Sequence, residues 1–172
     1  MKVLVGYASK YGATDAVAHQ IGAILSELGL DVMTARLGNT KVEGYDAYII
    51  GSAIYAGNWL KDARRFVDRN LDELRAKRTW FFSSGPIGRP LKPEGEPAGI
   101  EDFIYEVMPE DHAIFAGKLE KAHLNLLEKA MASVFQAPEG DFRDWDAIAR
   151  WAIDVGDALI AQSTSTTITA GR

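Results

Sequence analysis

The sequence predicts an α/β protein with a doubly wound, five-stranded parallel sheet and an extra helical segment after the fifth strand. Two observations carry this prediction. Short apolar runs alternate along the 172 residues with segments of helical periodicity, which is typical of a sheet covered by helices. Most of these runs are continuously apolar rather than alternating in polarity, as expected for strands that are buried on both faces.

Five apolar runs are the predicted strands. They are Val3–Tyr7, Asp31–Ala35, Ala47–Gly51, Thr79–Ser83 and Ala113–Ala116. The second run is weaker than the others, which are nearly unbroken. Segments of helical pattern separate the runs, so successive strands can be joined by the crossovers that a parallel sheet requires.

Apolar residues at helical spacing predict the helices that accompany these strands. The predicted helices are Thr14–Leu28, Leu60–Leu74 and Asp144–Ile160. A further amphipathic pattern over Leu119–Phe135 predicts a helical insert after the fifth strand. The segment Pro86–Gly99 contains four prolines and several glycines, and it is predicted to be a loop.

The length of 172 residues predicts a single domain. We place this domain at residues 1–161, followed by a flexible C-terminal tail at residues 162–172 that is rich in serine and threonine. Hydrophobic residues make up 47% of the chain, so a chain of this size can bury a core without covalent staples. The oligomeric state stays open.

Composition excludes several classes of function. The chain has no cysteine, which excludes disulfides, thiolate metal sites and a cysteine nucleophile, and no residue cluster predicts a metal site. A net charge of −5 argues against a nucleic-acid partner held by bulk charge. No apolar run reaches the roughly 20 residues of a membrane-spanning helix, and the apolar start is too brief for a secretion signal. We therefore expect a cytoplasmic protein, with contact at a membrane surface left open.

Three loops follow the predicted strands at the edge where doubly wound sheets bind ligands. The first loop leads directly into a helix, whose N-terminal amide groups suit a phosphate. It is too short for a Walker P-loop and lacks GxGxxG, which favours a mononucleotide. Its candidate binding residues are Ser9, Lys10, Tyr11, Gly12, Ala13 and Thr14. The alternative is an ordinary capped helix start, with Thr14 as the cap and Lys10 facing solvent.

The second and third loops offer small residues and an aromatic ring. Tyr55 is a candidate for stacking on a flat heterocycle, whereas Trp59 is expected to pack on the following helix. The candidate residues of the second loop are Ser52, Ala53, Ile54, Tyr55, Ala56 and Gly57. The third loop offers backbone groups to the edge of a ring, or else is only a tight turn. Its candidates are Ser83, Ser84, Gly85, Pro86, Ile87 and Gly88.

Together the three loops resemble those of the flavodoxin family. The phosphate loop of that family is approximately Ser/Thr-x-Thr-Gly-x-Thr; here Ser9, Gly12 and Thr14 match it, and Tyr11 replaces the middle threonine. The resemblance implies a strand order of 2-1-3-4-5 and FMN as the cofactor. It also implies that the first loop holds the FMN phosphate and that the other two loops flank the isoalloxazine. Because FMN carries the redox chemistry, no catalytic side chain is predicted.

Within that family, the chain resembles the menaquinone-dependent protoporphyrinogen oxidase branch. The matching segments are Tyr45-Asp46, Ile49–Ile54, Asp144-Trp145 and the helical insert. The resemblance implies electron transfer through FMN to or from a small substrate or a quinone, and the insert favours this function. The alternative is an electron carrier between protein redox partners, which the acidic balance favours.

Overall fold

The computed structural model describes residues 1–38, 40–55, 57–85, 100–120, 122, 124, 129 and 139–169. Eight strands are described, and they are β1 Lys2–Ala8, β2 Asp31–Arg36, β3 Ala47–Tyr55, β4 Asn58–Trp59, β5 Arg78–Ser84, β6 His112–Phe115, β7 Lys118–Leu119 and β8 Gly140–Asp141. The described helices are α1 Ala13–Glu27, α2 Lys61–Arg69, α3 Leu71–Ala76, α4 Glu101–Val107 and α5 Trp145–Thr169.

The main sheet has the strand order β2-β1-β3-β5-β6, and all of these pairs are parallel. Counted in the order of the predicted strands, this arrangement is 2-1-3-4-5, so the predicted topology is confirmed. The short strand β4 is antiparallel to the end of β3 and lies off this path.

Helices cover the sheet on both faces, which is why its central strands are continuously apolar. On one face, α1 and α5 pack on the sheet, and the cluster there includes Val5, Ile21 and Ile148. On the other face, α2, α3 and α4 contribute to a second cluster that includes Leu4 and Phe66. Successive residues of β1 therefore enter opposite halves of the core.

The second predicted helix is divided into α2 and α3. The break is at Asn70, whose φ and ψ are −126° and 21°. Its side-chain amide donates to the carbonyl of Phe66 (2.6 Å), and its own carbonyl accepts from the Leu74 amide (3.0 Å) to begin α3. An asparagine side chain that competes for backbone groups in this way explains the interruption.

Helix α4 was not predicted, although Ile100, Phe103 and Val107 are buried at helical spacing. Leu119 lies in β7, which pairs with β8, and so does not begin the predicted insert helix. Most of the predicted helix Leu119–Phe135 lies outside the described residues, as does nearly all of the predicted loop Pro86–Gly99.

Helix α5 continues past Ile160 to Thr169, into the segment predicted as a tail. The division into a domain and a tail stays a prediction. Within the described part of the chain, no helix has both the length and the apolar character needed to cross a membrane.

Candidate cofactor-binding site

The first loop turns sharply from β1 into α1. The Gly12 amide donates to Ser9 Oγ (3.1 Å), and Gly12 itself has φ +83°, a left-handed conformation that glycine adopts without strain. The first hydrogen bond of the helix runs from the Ala16 amide to the Gly12 carbonyl (3.1 Å). The amides of Ala13, Thr14 and Asp15 therefore have no acceptor within the helix, which makes this end suitable for an anion.

Thr14 is the residue of this loop that most directly indicates a ligand. Its side chain is 1% exposed, and Oγ1 has no hydrogen-bond partner within the described structure. Gly12 occupies the N-cap position and Thr14 lies inside the helix, so Thr14 is not the helix cap. A buried hydroxyl without a partner is unfavourable by about 1–3 kcal/mol, and an anion at this position would remove that cost.

Two arginines fix the backbone of the first loop from other parts of the chain. Arg36, the last residue of β2, donates from Nη1 to the Ser9 carbonyl (3.0 Å). Arg143 donates from Nη1 to the Ala13 carbonyl (3.3 Å), across 130 positions of sequence. Neither arginine was predicted from the sequence. The strand order could have indicated Arg36, because β2 ends beside β1, but no local pattern indicates Arg143.

The same two arginines are each near a carboxylate. Asp15 accepts from the Tyr7 hydroxyl (3.0 Å) and lies 4.0 Å from Arg36. Burial, and then the hydrogen bond to Asp15, raises the pKa of Tyr7 above its ordinary value. The Arg143 guanidinium donates to Asp141 (2.8 Å from Nε), and this hydrogen bond lowers the pKa of that carboxyl. The positive charges that support the loop are thus partly balanced beside it.

The first and second loops meet through aromatic rings. The Lys10 ammonium lies 5.3 Å from the ring centroid of Tyr11 and 5.1 Å from that of Tyr55. The two rings are 6.3 Å apart at a tilt of 55°. The structure therefore places Tyr55 beside the predicted phosphate loop, and Lys10 spans the two loops by cation–π contacts.

The second loop is a tight hairpin at the end of β3. Ile54 pairs with Trp59, and Tyr55 pairs with Asn58. Of the two residues between these strands, Gly57 has φ +77°, and Ala56 lies outside the described residues. The Ser52 hydroxyl accepts from the Leu60 amide (3.0 Å) and donates to the Ala53 carbonyl (2.9 Å). Ser52 thus closes the base of the hairpin.

Trp59 packs in the core, as the sequence analysis favoured, although it lies in β4 rather than at the start of a helix. It is 3% exposed, its ring is 5.1 Å from that of Phe81, and its Nε1 donates to Ser83 Oγ (2.8 Å). His112 Nε2 lies 2.9 Å from the same serine oxygen. Ser83 therefore joins β4, β5 and β6 in one hydrogen-bond network.

The third loop runs alongside the second. The Gly85 amide donates to the Phe115 carbonyl (3.0 Å), and the position of a Cβ on Gly85 lies 3.7 Å from the Ile54 carbonyl oxygen. Ser84 is buried at the end of β5. The other candidate residues of this loop, Pro86, Ile87 and Gly88, lie outside the described residues. Among described residues, no group of histidines and carboxylates could hold a metal ion.

These features define a class of protein. It is a doubly wound α/β protein whose first helix begins with groups suited to an anion, with an aromatic loop and a glycine loop nearby. Residues 4–146 match the sequence profile of the Flavodoxin domain, and the chain belongs to that family. Membership points to FMN as the cofactor. The unpartnered Thr14 hydroxyl and the open amides of α1 fit the phosphate group of FMN.

Comparison with known proteins agrees with this assignment. The chain is 22% identical to protoporphyrinogen IX dehydrogenase (quinone) of Escherichia coli K12 over 173 residues, which cover 90% of this chain and 94% of that protein. A flavodoxin from the domain Archaea superposes with a TM-score of 0.63 at 20% identity, covering 92% of this chain and 98% of the other. The Streptococcus pneumonia flavodoxin has a TM-score of 0.63 at 16% identity, covering 94% and 99%. The two structural matches show the fold.

Proposed function

We propose that this protein is an FMN-dependent oxidoreductase that resembles protoporphyrinogen oxidase and passes electrons from a porphyrinogen to a quinone. The similarity to the Escherichia coli dehydrogenase supports this function, because it covers 90% of this chain and 94% of that protein rather than the nucleotide site alone. Both the proposed substrate and the proposed acceptor come from that similarity.

One structural observation carries the proposal beyond a general flavodoxin. After β6 the chain forms β7, and β8 follows the insert; these two strands pair antiparallel in a separate two-stranded stem that leads into α5. The Phe142 amide bonds the Gly117 carbonyl (3.1 Å), and Arg143 then reaches the carbonyl of Ala13 in the first loop. This contact places the end of the β7–β8 stem near the first candidate loop, which supports a role for the insert in adding surface for a substrate.

The residues of the chain have separable tasks in this proposal. The first loop, Ser9–Thr14, binds the phosphate through the amides of α1 and the Thr14 hydroxyl. The second loop, Ser52–Gly57, provides the Tyr55 ring for the flat face of the cofactor, and the third loop, Ser83–Gly88, provides backbone groups for its edge. When bound, FMN supplies reversible two-electron redox chemistry. In each oxidation step the porphyrinogen loses two electrons and two protons. The quinone takes up two electrons and two protons and becomes a quinol.

A second candidate function is electron transfer between protein partners. The net charge of −5 favours it, because an acidic surface steers association toward basic redox proteins. The cofactor site would be the same, and the difference lies in the electron donor and acceptor.

Anaerobic mixing of the FMN-loaded protein with protoporphyrinogen tests the proposal. We expect the flavin absorbance to bleach on mixing and to return when a menaquinone analogue is added. Free FMN at the same concentration is the control for reaction without the protein. A bound flavin that does not react with porphyrinogen but is reduced by a basic redox protein would favour the carrier. A protein that does not bind FMN would contradict both candidates.

A further inference from the structure

A stripe of positive charge begins immediately after the second cofactor loop. Lys61, Arg64 and Arg65 are exposed on α2 at spacings of three and four residues, which places them on one face of the helix. The opposite face is buried in the core by Ala63 and Phe66. The stripe therefore faces away from the sheet along the first two turns of the helix.

The stripe lines a shallow cleft that is open to solvent. A cleft of about 370 Å³ is bounded by Trp59, Lys61, Arg64, Arg65 and Asp68. Three cations and one carboxylate give this cleft an excess of positive charge, although the whole chain has a net charge of −5. The volume lies within the range of small-molecule sites, which is roughly 300–1,000 Å³.

The cations of the stripe are not used to hold the fold together. In the described part of the chain, none of the three side chains has an ion pair, a hydrogen bond or a ring contact. In contrast, Arg36 and Arg143 bond backbone carbonyls. Asp68 is the one carboxylate that lines the cleft with these three cations, so an excess of positive charge is left for an anion to balance.

We propose that this cleft binds the carboxylate groups of the small-molecule substrate. This inference rests on the proposed function, because protoporphyrinogen is a tetrapyrrole macrocycle with two carboxylate arms. Arginine guanidinium groups bind carboxylates in a bidentate manner, and lysine adds a mobile ammonium. Only Leu60 separates Lys61 from Trp59 of the β3–β4 hairpin, so carboxylates held here keep the attached ring close to the second cofactor loop.

The shape of the cleft favours a small ligand over an acidic protein partner. A stable protein interface buries at least about 1,200 Å² in total, usually over a broad and fairly flat area. The observed cations are instead gathered around a small cleft with the buried Trp59 at its wall. Binding of an acidic protein is therefore the competing outcome that the experiment must separate.

Porphyrin binding to the FMN-loaded protein tests the inference without any turnover. The probes are protoporphyrin IX, which has two carboxylates, and its dimethyl ester, which has none, each titrated by fluorescence quenching. We expect the double variant Arg64→Gln/Arg65→Gln to raise the Kd for the dicarboxylate about tenfold and to leave the Kd for the ester unchanged. The matched control is Arg75→Gln, since Arg75 is exposed on α3, outside the cleft and without a contact in the described structure.

A kinetic measurement separates this inference from the proposed function. With protoporphyrinogen as substrate, we expect the double variant to raise KM about tenfold and to change kcat less than about twofold. Oxidation with the same KM in the double variant and in Arg75→Gln would overturn the inference and leave the proposed function intact. No oxidation by any variant, together with dicarboxylate binding that depends on the stripe, would support the inference and overturn the proposed function.

Two further results would also overturn the inference. One is an equal loss of binding for the dicarboxylate and the ester, because the stripe would then act by packing rather than by charge. The other is unchanged porphyrin binding together with slower, salt-sensitive electron transfer to an acidic protein, which would assign the stripe to protein docking. Circular dichroism and Tm should match in all variants, since both arginines are exposed.

Discussion

The first candidate loop differs from the second and third in one buried hydroxyl group. In the first loop, the buried Thr14 hydroxyl has no partner within the described structure. In the second and third loops, the Ser52 hydroxyl bonds the Leu60 amide and the Ser83 hydroxyl bonds the Trp59 indole. The Thr14 hydroxyl is thus available to a ligand, whereas Ser52 and Ser83 hold the shape of their loops, as Ser9 does in the first loop by accepting from the Gly12 amide.

This difference shows that small, hydroxyl-rich loops are not equivalent parts of a binding site. A charged phosphate needs donors that are free when it arrives. A flat ring needs surfaces and backbone groups in fixed positions, and a network such as Ser83 with Trp59 and His112 provides that rigidity. We therefore expect substitutions in the first loop to change affinity, and substitutions in the Ser83 network to change stability.

The largest expected effect is on stability, from Ser83→Ala. This change removes the acceptor of the buried Trp59 N–H and a partner of His112, and we expect the free energy of unfolding to fall by about 3 kcal/mol. Urea denaturation of the FMN-free protein measures it. The neighbouring Ser84→Ala is the control, and it should cost less than about 1 kcal/mol. Equal losses in the two variants would show that the Ser83 network does not stabilise the protein.

Thr14→Val is expected to weaken FMN binding while sparing the fold. Loss of the hydroxyl should cost about 2 kcal/mol of binding, or roughly a 30-fold increase in Kd. The FMN-free protein should be at least as stable as the wild type, because a buried hydroxyl without a partner has been removed. Thr14→Ser, which keeps the hydroxyl, should bind FMN nearly normally. Titration of flavin fluorescence measures both variants, and unchanged affinity in the valine variant would contradict the assigned role.

A smaller effect is expected from Gly12→Ala. Among the described residues, apart from Gly12 and its two neighbours in the chain, no atom lies within 4 Å of the added Cβ, so the cost comes from the left-handed backbone at φ +83°. We expect a loss of about 1 kcal/mol in stability, or a comparable loss in FMN affinity if the loop relaxes instead. Gly12→Asn should lose less, because asparagine tolerates this conformation. Thermal unfolding with and without FMN distinguishes the two results. A Gly12→Ala variant with the stability and the FMN affinity of the wild type would contradict the requirement for glycine.

The smallest expected effect is an alkaline loss of stability at the base of the first loop. Burial and the hydrogen bond to Asp15 raise the pKa of Tyr7 in the folded state, so the folded protein holds this proton more tightly than the unfolded chain. The stability that Tyr7 contributes in this way is complete below about pH 10, the ordinary pKa of tyrosine, and it is lost as the pH rises through the pKa of Tyr7 in the folded protein. Tm measured between pH 8 and 11 should fall less steeply in Tyr7→Phe than in the wild type. Parallel curves would contradict the role assigned to Tyr7.

The sequence was most informative about features that depend on local composition. Continuous apolar runs such as Ala47–Gly51 identified the central strands, and the strand order followed the family resemblance. The first loop was recognised because a glycine and two hydroxyls directly precede a helical pattern. The break at Asn70 and helix α4 were missed because both are short and depend on contacts with neighbouring elements.

By itself, the sequence determined the fold class and the loops at the carboxyl edge of the sheet, where a ligand is expected, because these depend on burial patterns that are repeated along each element. Only the tertiary structure decided which hydroxyls are available to a ligand and which are already bonded. The bond from Ser83 to Trp59 and the bond from Arg143 to Ala13 join residues 24 and 130 positions apart. Hydrogen bonds are short and directional, so their partners are set by how the strands and helices pack and not by neighbours in the chain.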